Sequence, residues 1–251
     1  AAGVCRTDLH IITGRDLGIP LAKLPFVLGH ENAGEVYSIG EGVNNFIKGD
    51  KVLCYPFLTF GISSEERYGI DSHVVNRKTP GINVNGGFCE LTKFSERSLI
   101  KVDQKASLTE LAPLGDAGIT AYGAIRKLMG FIRPQDRVLV IGIGGVGHIG
   151  LQLAKALAAE VHTTASTDAK IKFGKEIGAD VLINYKKEKV EDYISTHTNG
   201  EGYDVVFDTA GGECLDNSFT AAKIGGSVVS IAARAKHDLS PVHIKSLTLH
   251  V

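Results

Sequence analysis

From residue 137 onward five short β-rich runs recur: "RVLVIG" at 137, "EVHTTA" at 160, "DVLINY" at 180, "YDVVFDT" at 203 and "GSVVSIA" at 226. Their starts lie 23, 20, 23 and 23 residues apart, and helix-like segments such as "GLQLAKALAA" and "AKIKFGKEIGA" fill the intervals. That rhythm leaves few architectures open. Strands alternating with helices at this spacing build a parallel sheet with right-handed crossovers, so the second half reads as an α/β doubly wound domain. Its first strand runs into "VLVIGIGGVGHIGLQLAK", which sets Gly142, Gly144 and Gly147 in G-x-G-x-x-G spacing at the mouth of a helix. The first glycine allows a tight turn, the second lets backbone approach a pyrophosphate, and the third permits close helix-on-strand packing. The helix N-terminus offers unpaired N–H groups to the anion. Gly145 and Val146 lie within the same loop. The strand–turn–helix context is the one this motif requires, and it predicts dinucleotide binding.

The end of the second strand bears on which dinucleotide. An NAD site usually places Asp or Glu there to bind the ribose hydroxyls. Here the position falls at Ala165, followed by Ser166 and Thr167, with Lys170 further on. A carboxylate would repel a 2′-phosphate, whereas hydroxyls and a lysine accept one. The expectation is NADP(H) in preference to NAD(H). Asp168, in the same turn, is a contrary charge, and a solvated "STDAK" turn without a ligand role is the alternative.

Before residue 110 the texture changes to Gly, Asn and Pro turns between strand-like pieces, as in "GEVYSIGEG" and "GDKVLCYP". That half reads as mostly β. The join falls near "SLTELAPLGDAGITAYGAI", a helical stretch across the boundary, giving expected domains of 1–112 and 113–251. Lys+Arg 27 against Asp+Glu 28, with no basic run, gives no electrostatic footprint for nucleic acid or an anionic membrane. No apolar stretch approaches the roughly 20 residues needed to span a bilayer. A small-molecule ligand and a cytoplasmic setting follow as expectations. Cys5, Cys54, Cys89 and Cys214 are scattered, which favours free thiols or metal ligands over bridges. The chain opens at Ala1 and stops inside the alternating run "SLTLHV", so it reads as a fragment lacking both ends.

Cys5 and His30 suit zinc, but their separation is no local finger pattern, and by spacing alone a buried thiol with a core histidine is the commoner explanation. The surrounding segments add to this. "AAGVCRTDLH", "LPFVLGHENAGEV", "GDKVLCYP", "APLGDAGITAYGAI" and the glycine loop stand in the order and approximate distances of the zinc-containing medium-chain alcohol dehydrogenases. The chain resembles that family over essentially its whole length. The resemblance implies a chaperonin-10-like β catalytic domain, a Rossmann-type domain and an active site in the cleft between them. Cys5 and His30 match two ligands of a catalytic zinc. The third is a cysteine in many relatives and is Asp116 here, a departure that retains a competent oxygen ligand; a helix-capping carboxylate is the other reading of Asp116.

By the same resemblance Thr7 matches a proton-relay hydroxyl and His10 its outer station. Glu31 matches a carboxylate near the metal, Asp8 a residue that orients the site, and Arg6 a contact to the cofactor pyrophosphate. Thr120, Thr209 and Ile231 match further cofactor contacts, and Phe57 a wall of the substrate pocket. Zinc lowers the pKa of an alcohol, hydride passes to the nicotinamide, and the relay takes the proton to solvent. Many relatives also carry four closely spaced cysteines in a lobe after the "YP" segment. Here that region reads "FGISSEERYGIDSHVVNRKTPG", so one catalytic zinc and no structural zinc are expected. The implied function is alcohol dehydrogenation or carbonyl reduction by a homo-oligomer, dimer or tetramer. The rivals are a zinc-independent NADPH quinone or enoyl reductase of the same superfamily, whose segments "TTAST" resembles, and a non-catalytic cofactor-binding protein.

Overall fold

The computed structural model describes residues 1–15, 18–75, 77–157, 160–232 and 235–251. Asn76 of the expected lobe, and Ala158 and Ala159 at the end of the "GLQLAKALAA" run, lie outside the described residues. Contacts divide the chain into two compact units, Ala1–Ile119 and Thr120–Val251.

The first unit is built on an antiparallel sheet of β1 (Ala2–Gly3), β2 (Glu31–Glu35), β3 (Lys51–Cys54) and β4 (Leu99–Lys101), paired in that order. Helix α1 (Arg6–Ile12) follows β1, and the short α2 (Ser64–Arg67) lies between β3 and β4. The strand expected in "GEVYSIGEG" is displaced towards the N-terminus: β2 takes "ENAGE", and pairing ends after the Val36 N–H reaches the Asp50 carbonyl at 2.9 Å. The helical stretch expected at the join is broken. Helix α3 (Leu108–Leu111) passes into a 3₁₀ turn, Ala112–Gly115, and α4 (Ala117–Leu128) begins only after Asp116. Pro113 supplies the physical reason, since its ring removes a backbone donor and disfavours a continuous helix.

The second unit is a six-stranded parallel sheet in the order β10-β9-β8-β5-β6-β7. In chain order it comprises β5 (Arg137–Ile141), α5 (Gly147–Ala156), β6 (Glu160–Ala165), α6 (Asp168–Glu176), β7 (Val181–Asn184) and α7 (Val190–Thr198). It continues through β8 (Tyr203–Asp208), α8 (Glu213–Ala221), β9 (Ala222–Ser230), α9 (Ser240–Ile244) and β10 (Thr248–His250). All five expected runs are strands. Side chains alternate across the sheet. Val138, Val140, Val205 and Phe207 enter one core with Leu128, Leu151 and Ala154, while Leu139, Ile141 and Val206 enter another with Tyr193, Leu215 and Phe219. Both faces are therefore covered by helices. Strand order reverses between β5 and β8, where such sheets leave a crevice at the carboxyl ends of their strands. Among the described residues no helix is long and apolar enough to cross a membrane.

Candidate metal centre and dinucleotide loop

Three segments of the first unit converge at one point. Cys5 precedes α1 in extended backbone, His30 ends the turn before β2, and Asp116 occupies the break before α4. Asp116 has φ −125° and ψ −64°, outside the helix, and the preceding Gly115 lies so close to the Cys54 carbonyl that a Cβ there would stand 2.7 Å from it. The helix break thus turns the Asp116 carboxylate towards His30, with Oδ2 3.5 Å from His30 Nε2.

One ligand atom each from Cys5, His30 and Asp116 lies within 4.8 Å of the others. A tetrahedral zinc with bonds of about 2.0–2.3 Å holds its donors about 3.3–3.8 Å apart, so a sulfur, a nitrogen and an oxygen at these separations fit that ion. Charge points the same way. Burial works against an imidazolium at His30, yet Asp116, Asp8 and Cys5 outweigh it and push its pKa up to about 12. The cluster favours positive charge at this place, whether a proton or a metal ion that replaces it.

Asp8 joins two of the three segments. It is fully buried; Oδ2 accepts the Cys5 N–H at 2.8 Å and Oδ1 accepts the Gly29 N–H at 3.4 Å. Oδ1 also stands 3.3 Å from His30 Nδ1, poorly aligned for a hydrogen bond but close enough for attraction. Burial raises the Asp8 pKa, and the contacts to His30, Cys5 and Gly29 overcome it, holding the carboxyl below its ordinary value. Glu31, buried at the start of β2, is pushed up to about 7 by burial and by Asp116, against the pull of His30.

Thr7 and His10 share a face of α1, as residues three apart do. The Cys5 thiol points to Thr7 Oγ1 at 3.7 Å. Arg15 Nη1 lies 3.2 Å from His10 Nε2, and because a guanidinium only donates, that ring nitrogen is the acceptor. Arg6 is exposed on the first turn of α1. Phe57 is half-buried, edge-on to Tyr55, with the Arg77 guanidinium 4.8 Å from its ring centre. In the lobe that follows, the Glu66 carboxylate accepts the N–H groups of Phe60, Ile62 and Ser63 at 2.6, 2.9 and 2.9 Å.

In the second unit the glycine loop joins β5 to α5. Gly142 has φ +88°, open to glycine at little cost, and a Cβ on Gly147 would collide with the Gly142 carbonyl oxygen. Gly144 and Gly145 are exposed with open space beside them, and Val146 is half-buried. Bare backbone at the head of a ten-residue helix is a cradle that fits a diphosphate. Thr209 donates its hydroxyl to the Ile141 or Gly142 carbonyl, at 2.9 and 3.0 Å. The Ile231 N–H is committed to the Asp208 carbonyl at 3.2 Å. β6 ends at Ala165; Thr167 caps α6, accepting the Lys170 N–H at 3.3 Å, while Ser166 is half-buried and Lys170 exposed. Thr120 is half-buried on α4.

Residues 1–104 match the family model of the alcohol dehydrogenase GroES-like domain, and residues 145–250 that of the zinc-binding dehydrogenases. A D-arabinose 1-dehydrogenase (NADP(+)) of Saccharolobus solfataricus is 35% identical over 247 residues, 94% of this chain and 68% of that protein. The chain belongs to the zinc-type family of medium-chain alcohol dehydrogenases. Its two units are the GroES-like and Rossmann-type domains of that family. An NAD-dependent alcohol dehydrogenase of Sulfolobus acidocaldarius is 34% identical over 232 residues, 89% of this chain and 66% of that protein. The crystal structure of the alcohol dehydrogenase from Aeropyrum pernix superimposes with a TM-score of 0.92 at 34% identity, over 99% of this chain and 74% of that one. The chain spans about two thirds of the length of the curated relatives it matches.

In each unit some residues that support the candidate site carry no motif. Buried Asn32 donates to the Gly29 carbonyl at 3.1 Å and steadies the turn that bears His30. Thr164 accepts the Gly142 N–H at 3.1 Å, and Asp208 is buried beside Thr209. Their only sequence signal is place: next to a ligand, or at the carboxyl end of a parallel strand.

Proposed function

We propose that the protein is a zinc-dependent oxidoreductase that moves a hydride between NADP(H) and an alcohol, aldehyde or ketone. The gathering of Cys5, His30 and Asp116 donor atoms within 4.8 Å, in a chain that also carries the glycine loop, is the observation behind this reading. A Cys5 thiolate and the Asp116 carboxylate balance the charge of Zn²⁺. His30 binds through Nε2, while Asp8 faces Nδ1 and orients the ring, as carboxylates behind zinc-binding histidines do. Zinc, when bound, supplies the Lewis acidity that makes a substrate hydroxyl acidic near neutral pH. Thr7 accepts the hydroxyl proton and passes it along α1 to His10, from which it reaches solvent. Glu31 is the further carboxylate beside the metal.

The backbone from Gly142 to Gly147 holds the pyrophosphate, and Thr120, Thr209 and Ile231 border the rest of the cofactor. Support for NADP comes from the Ala165 methyl at the end of β6, where a carboxylate would repel a 2′-phosphate. Ser166, the Thr167 O–H and Lys170 are the groups that receive that phosphate. Phe57 offers an apolar wall to the substrate. The reading includes one zinc per chain, with Glu66 and its three N–H partners organising the lobe, together with a dimeric or tetrameric state and a cytoplasmic setting.

The test is a hydride-transfer panel on the complete protein, using NADPH and NADH with matched aldehydes, ketones and quinones, alongside elemental analysis. The expected result is one zinc per chain and faster reduction of aldehydes or ketones with NADPH. Zinc-free protein that reduces quinones supports the zinc-independent branch, and dinucleotide binding without turnover supports a non-catalytic role.

A further inference from the structure

Asp208 closes β8, the strand beside β5 where the strand order reverses, and its side chain is completely buried. A buried carboxylate needs donors on both oxygens. Oδ1 accepts the N–H groups of Ala210 and Gly211, each at 2.9 Å, and Oδ2 accepts the Ser230 hydroxyl of β9 at 2.8 Å. The Ser230 oxygen in turn accepts the Ala232 N–H at 3.3 Å, and the Asp208 backbone carbonyl accepts the Ile231 N–H at 3.2 Å. One residue thus fixes the start of both loops that leave β8 and β9. Within its turn stands Thr209. Its hydroxyl lies 2.9 and 3.0 Å from the carbonyls of Ile141 and Gly142, and its N–H donates to Ile141 at 3.1 Å. On the other side, Thr164 accepts the Gly142 N–H at 3.1 Å. The first glycine of the loop is therefore clamped between two hydroxyls, and the Thr209 clamp takes its position from Asp208.

We infer that Asp208 is a positioning residue for the dinucleotide: through Thr209 it holds the Gly142–Gly147 turn in the shape that presents the Gly144 and Gly145 backbone to a diphosphate. The inference rests on the reading of that loop as the cofactor site. An acceptor-only side chain suits the place, because all three of its partners are donors. Those donors turn its charge inward, so a carboxylate stands at the phosphate edge of the sheet without opposing the ligand.

The experiment titrates NADPH and NADH into the full-length protein, follows dihydronicotinamide fluorescence, and measures zinc content and the KM for the alcohol in parallel. Asp208→Ala and Thr209→Val are expected to weaken dinucleotide binding roughly tenfold or more, the effect of leaving buried donors or acceptors unpaired. Asp208→Asn and Thr209→Ser, which keep an acceptor and a hydroxyl respectively, recover most of the affinity. Zinc content and the alcohol KM stay near native, which a general loss of structure would not allow. Native affinity in folded Asp208→Ala overturns the inference. If that variant does not fold, Thr209→Val decides against Thr209→Ser, and equal affinities overturn it. A native protein that binds neither dinucleotide overturns the reading of the loop, and the inference with it.

Discussion

Replacement of Asp8 separates the two tasks its carboxylate performs. It accepts the Cys5 N–H at 2.8 Å and the Gly29 N–H at 3.4 Å, and it faces His30 Nδ1 at 3.3 Å. Asp8→Ala leaves all three groups facing a void, at a cost of about 1–3 kcal/mol for each buried donor left unpaired. That variant loses fold and metal together. Asp8→Asn is more informative. Its amide oxygen can still accept the Cys5 N–H, so α1 keeps its cap, but the negative charge behind the imidazole is gone. Loss of such a carboxylate typically weakens metal binding about 10–100-fold, or about 1.4–2.8 kcal/mol. Competition with a chromophoric chelator measures zinc affinity, and denaturant unfolding in excess chelator measures the metal-free fold. The expected result is a zinc Kd about 10–100-fold higher, with metal-free stability lowered by about 1–3 kcal/mol because the amide NH2 faces the Gly29 N–H that Oδ1 accepted. A folded Asp8→Asn protein that holds zinc within about twofold of native refutes the argument that this carboxylate orients His30.

Thr7→Ala should lower kcat roughly 10²–10⁴-fold, the usual contribution of a positioned proton-transfer group, with little change in the dinucleotide Kd, and Thr7→Ser should restore most of it. A loss of less than a few-fold where chemistry limits the rate shows that the proton leaves by another route. Lys170→Ala should weaken NADPH about tenfold or more while leaving NADH nearly unchanged, as one charge-assisted hydrogen bond contributes roughly 1.5–3 kcal/mol; Ala165→Asp sets a carboxylate at a buried core position and should lower stability as well as NADPH affinity. A higher kcat/KM for NADH in the native enzyme sinks this assignment and points to Asp168 as the ribose ligand. Glu66 is held at about 2 by the N–H groups of Ser63 and Phe60, against an ordinary value of 4.5. Its contribution to the lobe is complete above that ordinary value and is lost as pH falls towards 2, so hydrogen-exchange protection at Ile62 and Ser63, taken relative to the intrinsic rate at each pH, should fall across that window, and unchanged protection refutes it.

The doubly wound sheet was legible because each of its five strand runs is a local pattern and their spacing leaves room for a helix between neighbours. The antiparallel unit was less so. "VYSIG" alternates like a strand, yet the hydrogen-bond ladder stops at Val36, which donates to the Asp50 carbonyl at 2.9 Å and accepts the Gly49 N–H at 2.8 Å where the chain turns towards β3. Register is a property of two segments, and no window on one of them contains it. The metal set divides along the same line. Cys5 and His30 stood out as residue types suited to zinc, but their approach depends on Asp8, which bonds to the backbone of both segments from a buried position. Asp116 needed a broken helix to reach them. Pro113 announced that break, although the stretch around it has the composition of a continuous helix. Asp208 had no such announcement: in sequence it is one more acid at the end of a hydrophobic run, and its role exists only once β8 lies between β5 and β9, with Thr209 on one side and Ser230 on the other. Residues that act on the ligand tend to be recognisable by chemical type, whereas residues that act on the backbone are recognisable only by what they touch.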